Sequence, residues 1–201
     1  MSADYAVFVE GLEALDDMAE ISPEIERKAV QAINKTTRRT RTAASRQIRE
    51  QIKLKASYLN QDDRLSMKFA RAGKLEGRIS GRDRPTSLAR FVTNKTGSLR
   101  DTNRRFRRSG ARIQVKPGAT RVARKAFAIP LRGGNLGLAI RTKGGPPQRA
   151  YKPKRLSEDV YLLYGPSIDQ VFKTVREDLE DEAADYMEFE FNRLLDLGGK
   201  V

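Results

Sequence analysis

"AINKTTRRTRTAASRQIREQIKLKASYLN", Ala32 to Asn60, carries eight basic residues and a single acid, Glu50, before Ala56. It is either a surface that meets phosphate or an acidic partner, or the solvated face of a long structural helix. Its flanks favour a helix. Ser22, Pro23 and Glu24 supply an N-cap, a pre-set first turn and an acid on the positive end of the helix dipole. Val30, Ile33, Thr37, Ala44, Ile48 and Ile52 then recur mostly every three or four residues, which places them on one face at about 100° per residue. Lys35, Arg38, Arg39, Arg46, Arg49 and Lys53 fall on the other side. From Pro23 to Lys53 such a helix would be ~45 Å long, longer than a lone small domain needs. Its basic side reads first as a solvated face, with phosphate or an acidic partner as the alternative.

A second helical pattern, of opposite charge, lies near the C-terminal end. In "LYGPSIDQVFKTVREDLEDEAADYMEFEFNRLLDLGG", Ser167 and Gln170 have capping-box spacing and Gly198-Gly199 supplies a stop. Ile168, Val171, Phe172, Val175, Leu179, Ala183, Met187, Leu194 and Leu195 trace the apolar face. The opposite side is acidic: Glu177, Asp178, Glu180, Asp181, Glu182, Asp185 and Glu188. A basic and an acidic long helix predict antiparallel packing with charged rims attracting, although single surface pairs contribute only ~0 to 1 kcal/mol.

Strand patterns fill the remainder. "YAVFVEG" alternates and predicts a short strand, followed by a short helix from Leu12 to Ala19. "RLSMKFAR" and "KLEGRISG" flank Ala72-Gly73 as a β-hairpin. "ARIQVK", "KAFAIPL" and "LGLAIR" predict further strands, the second at an edge because of Pro130. "GGNLG" lacks GxGxxG spacing and reads as a turn. The expected fold class is α+β: a mostly antiparallel sheet packed against two long helices, with a long basic loop or arm. One domain over residues 1–201 is expected, with a basic loop inserted at 81–110 and a Pro/Gly-rich basic arm at 143–155.

Composition restricts the chemistry. No cysteine and no histidine are present, which removes disulfide frameworks, thiolate or imidazole metal sites, Cys–His nucleophiles and His general bases. Adjacent acids, Asp62-Asp63 and Asp181-Glu182, are the remaining catalytic candidates. They sit after a turn or on a wet helix face with no phosphate loop or nucleophile elbow, so no enzyme, cofactor or metal is expected. Hydrophobic content is 38% against 33% charged residues, so a modest core with much wet surface is anticipated. No apolar run approaches ~18 residues and the opening residues are acidic rather than basic. The expectation is a protein of cytoplasm-like solvent with no membrane partner.

The net charge of +14 is segregated in blocks. Residues 1–21 hold six acids and no bases, residues 82–155 hold 21 bases against Asp83 and Asp101, and residues 156–201 hold four bases against twelve acids. "GRDRPTSLARFVTNKTGSLRDTNRRFRRSG", Gly81 to Gly110, is far longer than a usual loop of ~4 to 6 residues and holds few large apolar residues, so it reads as disordered or ordered by a partner. Arg84, Arg90, Arg104, Arg105, Arg107, Arg108, Arg112, Arg121, Arg124 and Lys125 are the candidate contact residues, toward either neighbouring subunits or DNA. Only Phe106 and Phe127 lie near enough in sequence to stack on bases, so a DNA contact would be indifferent to sequence.

"RPTSLARF", together with the opening stretch, "GGNLGLAIR" and "LYGPSI", resembles the phage minor tail protein Z family, tail-completion proteins of long-tailed phages. The resemblance runs from about Ala32 into the C-terminal helix. Its signature residues here are Pro85, Ser87, Leu88 and Phe91, then Tyr164, Gly165, Pro166 and Ser167, with Arg84, Thr86, Ala89, Arg90 and Ile168 between and beside them. The resemblance implies a structural virion protein assembled in the bacterial cytoplasm into the tail neck. It implies a ring, hexameric by analogy with tail-tube components, between a tail terminator or tail tube protein and the head–tail connector, with the genome's DNA end as a further neighbour. The rival reading is a free-standing, non-specific nucleic-acid-binding protein, for which the basic character argues and the lack of any groove-reading motif argues against.

Overall fold

A computed structural model describes residues 22–61, 63–132, 134–147 and 151–198. The strand expected near Tyr5, the helix expected from Leu12 to Ala19, Asp62 and Gly199 lie outside the described residues. The fold is α+β. Its residues divide into two compact units: Met1–Ile48, Ala56–Asp83 and Asp169–Val201 form the first, and Arg49–Lys55 with Arg84–Ile168 form the second.

In the first unit the opening stretch is indeed a helix. Helix α1 spans Pro23–Gln51, counted to this unit as far as Ile48. Ser22 caps it, its hydroxyl accepting from the Ile25 amide at 3.3 Å. The buried face differs in composition from the sequence reading. Besides Ile33 and Ile48 it consists of Ala29, Ala32, Ala43 and Ala44 with Thr36, Thr37, Thr40 and Ser45. Small side chains at this spacing let neighbours approach closely. A Cβ on Gly77 would collide with Thr37 Oγ1 and lie 2.9 Å from Ile33 Cγ2, so only glycine fits where that strand connection crosses α1. Helix α2, Ala56–Asn60, follows, and strands β1, Leu65–Lys68, and β2, Arg78–Gly81, form the expected antiparallel hairpin. Asn34 binds it to α1: its amide donates to Ala70 O at 3.1 Å and its carbonyl accepts from Ala70 N at 2.8 Å.

In the second unit a 3₁₀ turn, Leu88–Phe91, precedes helix α3, Leu99–Ser109. Strands β3, Ala111–Ile113, and β4, Arg121–Ala123, make a second antiparallel hairpin. Strands β5, Ala126–Pro130; β6, Leu136–Arg141; β7, Tyr151–Ser157; and β8, Val160–Tyr164, form an antiparallel sheet in the order β5-β6-β8-β7. The strands therefore build three antiparallel sheets. Pro130 ends β5 on the sheet edge, where a missing donor leaves no ladder bond unmade. β8 is central and buried through Tyr161, Leu162 and Leu163.

Two segments are more regular than expected. The long basic loop beginning near Gly81 ends in α3, because Ser98 and Asp101 cap one another: the Ser98 hydroxyl accepts from Asp101 N at 3.1 Å and donates to its carboxylate at 2.6 Å. Thr102 and Phe106 give the helix an inner face. The end of the basic arm, residues 151–155, lies in edge strand β7, since β8 requires a partner on that side; the register of β7 on β8 shifts twice.

The acidic helix is bent into two. Helix α4, Ile168–Val175, gives way at Arg176 to α5, Glu177–Gly198. Arg176 O accepts from both Leu179 N, at 2.9 Å, and Glu180 N, at 3.1 Å, which starts a new first turn. Glu177, Asp178 and Glu180 then occupy that turn, where acids complement the dipole.

Candidate interaction face and motif junction

Three separated pieces of sequence meet in the second unit. Gly165 N donates to Thr86 O at 2.8 Å, Thr86 N donates to Pro166 O at 3.4 Å, and Ser87 bridges Tyr164 as paired strand residues would. The Ser87 hydroxyl donates to Leu136 O at 3.3 Å and the Arg90 guanidinium to Asn135 Oδ1 at 3.4 Å. Phe91, 2% exposed, fills the space beneath: a Cβ on Gly165 would lie 2.9 Å from its ring and 3.5 Å from Leu88. "RPTSLARF", "GGNLG" and "LYGPSI" thus form one packed junction. Pro85 is half-buried at its rim, and Thr86 and Ser167 are buried within the second unit.

The basic candidates divide by element, and all ten are exposed. Arg104, Arg105, Arg107 and Arg108 lie on α3. At 100° per residue Arg104, Arg107 and Arg108 occupy the side away from Thr102 and Phe106, with Arg105 on the flank. Arg112, Arg121 and Arg124 lie on or beside the β3–β4 hairpin, with Lys125 next along the chain. Gly110 joins helix to hairpin. Its φ of 73° suits the helix stop, its N–H donates to Phe106 O at 2.8 Å, and a Cβ there would stand 2.6 Å from Val122 and 3.2 Å from Arg124 Cα. The arginines at the helix end and those of the hairpin therefore share one region. Arg90 belongs to the motif junction through Asn135, and Arg84 stands at the start of its first motif.

Asn103 fixes α3 in place. Its amide donates to Ala128 O at 2.9 Å and its carbonyl accepts from Ala128 N at 2.7 Å, which satisfies the outer backbone groups of Ala128 in edge strand β5. Phe106 is 2% exposed and Phe127 half-buried. The expectation that Phe106 could stack on bases is corrected by this burial: the helix uses this side chain for its own packing. What the face presents is mainly guanidinium and ammonium groups, with Val122 of the hairpin exposed among them. The second unit holds 23 bases against four acids, a net +19, while the first holds 17 against 22, a net −5.

The basic side of α1 behaves differently, because the first unit consumes much of it. Lys35 Nζ stands 2.7 Å from Glu190, and Arg39 stands 3.2 Å from Glu182 and 4.4 Å from the Tyr186 ring centroid. Residues ascending α1 meet residues descending α5, so the expected antiparallel pairing is present. Arg38 lies over Phe69 at 4.7 Å, and Arg41 donates twice to Leu65 O at 3.2 Å. Glu190 is only 1% exposed; Arg193 at 2.5 Å and Lys35 hydrogen-bond its carboxylate and hold its pKa down at about 2. It falls in helical period between Met187 and Leu194 on the apolar face, and alone turns inward while the helix's other eight acids are exposed.

Among the described residues no group of three acidic or imidazole or thiol side chains could hold a metal ion, and no helix is long and apolar enough to cross a membrane. A family model described as prophage minor tail protein Z matches residues 9–197, beginning earlier than the motifs quoted above. No curated protein and no solved structure matches the chain.

Proposed function

The chain belongs to the prophage minor tail protein Z family, structural proteins of the phage tail, and from that premise we propose that it completes the tail at its head-proximal end. In this reading copies of the chain close into a ring in the neck, between a tail terminator or tail tube protein and the head–tail connector. The role is structural and involves no catalysis. The observation that carries the reading is the uncompensated basic face on α3 and the β3–β4 hairpin. A monomer has no use for nineteen net positive charges in one unit, because like charges repel within it. An assembly that sets opposite charges against them does.

DNA contact is the second reading of the same face, and guanidinium groups without exposed aromatic neighbours favour phosphate over bases. The test is genetic. In a host that terminates this chain early, infectious yield is expected to collapse and to return with a plasmid-borne copy. A phage that plates equally well without the chain would overturn the role.

A further inference from the structure

We propose that the outer face of α3 is a docking surface for the outer face of α5 on a second copy of the chain. The proposal deepens the ring reading by naming the two faces that join.

Arg100, Arg104 and Arg107 are exposed on α3 at spacings of four and three, and Asp181, Asp185 and Glu188 are exposed on α5 at spacings of four and three. Each set is a single stripe at helical period, opposite the residues its helix buries: Thr102 and Phe106 on α3, Leu179, Ala183 and Met187 on α5. None of the six has an ion-pair partner among the described residues, whereas Glu182, turned toward α1, pairs with Arg39. The stripes are ~10 Å long on both helices, so their charges fall in register along a shared contact. An antiparallel arrangement brings the C-terminal end of α3, with Arg107 and Arg108, toward the N-terminal end of α5, with Glu177 and Asp178. Each end then meets a dipole and side chains of opposite sign. A face that binds a different face on its neighbour makes a head-to-tail contact, the kind that closes into rings. A polyanion would also be drawn to α3, yet it leaves the matching acidic stripe without a role. The second copy accounts for both.

Two variants of the full-length chain test this. In the first, Arg100, Arg104 and Arg107 all become Glu; in the second, Asp181, Asp185 and Glu188 all become Lys. All six positions are exposed, so circular dichroism should match the parent chain. Sedimentation of the parent at low salt should show an assembly that dissolves toward 1 M salt, where screening acts within ~3 Å. Each variant alone should associate about 100-fold more weakly. An equimolar mixture should assemble again, because the first variant offers two acidic faces and the second two basic ones. A parent that stays monomeric, a variant that assembles alone as the parent does, or a folded mixture that fails to assemble would each overturn the pairing. So would a first variant that loses only its binding to a random-sequence DNA duplex while associating normally, since the face would then belong to nucleic acid. These results are independent of position in the virion, so rescue by mixing would stand even if the neck placement failed.

Discussion

Phe91→Ala is expected to cost about 3 to 5 kcal/mol and, on a scale of ~5 to 15 kcal/mol for a whole protein, to leave the second unit barely folded. The ring is 2% exposed and lies under Gly165. The backbone here is tied to the end of β3, since Phe91 O accepts from Gln114 N at 2.9 Å and the adjacent Val92 bridges Ile113. Removing the ring opens a cavity that Gly165, which has no side chain, cannot fill. Arg90→Ala, one residue away and exposed, should change stability by less than about 0.5 kcal/mol. Urea midpoints of the two variants measure the contrast. Near-equal midpoints would mean that the junction is not a packing unit, and its motif residues would have to be explained by contact with a partner.

The acid limb of the stability curve should be dominated by Glu190. Its carboxyl ionises at about 2 when folded, against 4.5 ordinarily, because Arg193 and Lys35 hydrogen-bond the carboxylate. A carboxyl whose folded pKa is depressed contributes stability that is complete above its ordinary value. That contribution is lost as pH falls from about 4.5 to about 2. Its upper size is about 3 kcal/mol, reduced by solvent screening because Lys35 and Arg193 are partly exposed. Glu190→Gln keeps the shape and removes the charge, so it should lower stability at pH 7 and flatten the fall between pH 5 and 2. Urea titrations across that range check it. An acid limb unchanged by Glu190→Gln would assign the pH dependence to other carboxylates.

What the sequence discloses here follows from which interactions are local. Helix α1, the acidic helix and the β1–β2 hairpin were legible because periodicity and caps lie in neighbouring residues: Ser22, the spacing from Ile33 to Ile48, the alternation from Leu65 to Met67. Helix α3 was not, because arginine supplies five of its eleven residues and Leu99 and Phe106 are its only large apolar side chains, too few to show a period. Ser98 and Asp101, three apart, were the available signal, since they cap each other directly. "VYLLY" and "YKPKRLS" became paired strands for a tertiary reason. The buried β8 needs hydrogen-bonding partners on both sides, and nothing within "YKPKRLS" announces that it is one. The division of strands into three sheets is likewise a matter of long-range pairing. At the candidate face, the exposure of all ten basic residues could be anticipated from composition, but the inward turn of Phe106 could not. Its arginine neighbours on the chain suggest an exposed position, and packing against another element decides otherwise.

The most direct test of the neck assignment is a cryo-electron microscopy reconstruction of intact particles in which the chain carries a C-terminal density tag. The tag should appear as a ring between the top of the tail tube and the head connector, with the basic face of each copy against the acidic helix of the next. A tag at the distal tip, along the tube, or absent from infectious particles would contradict the assignment.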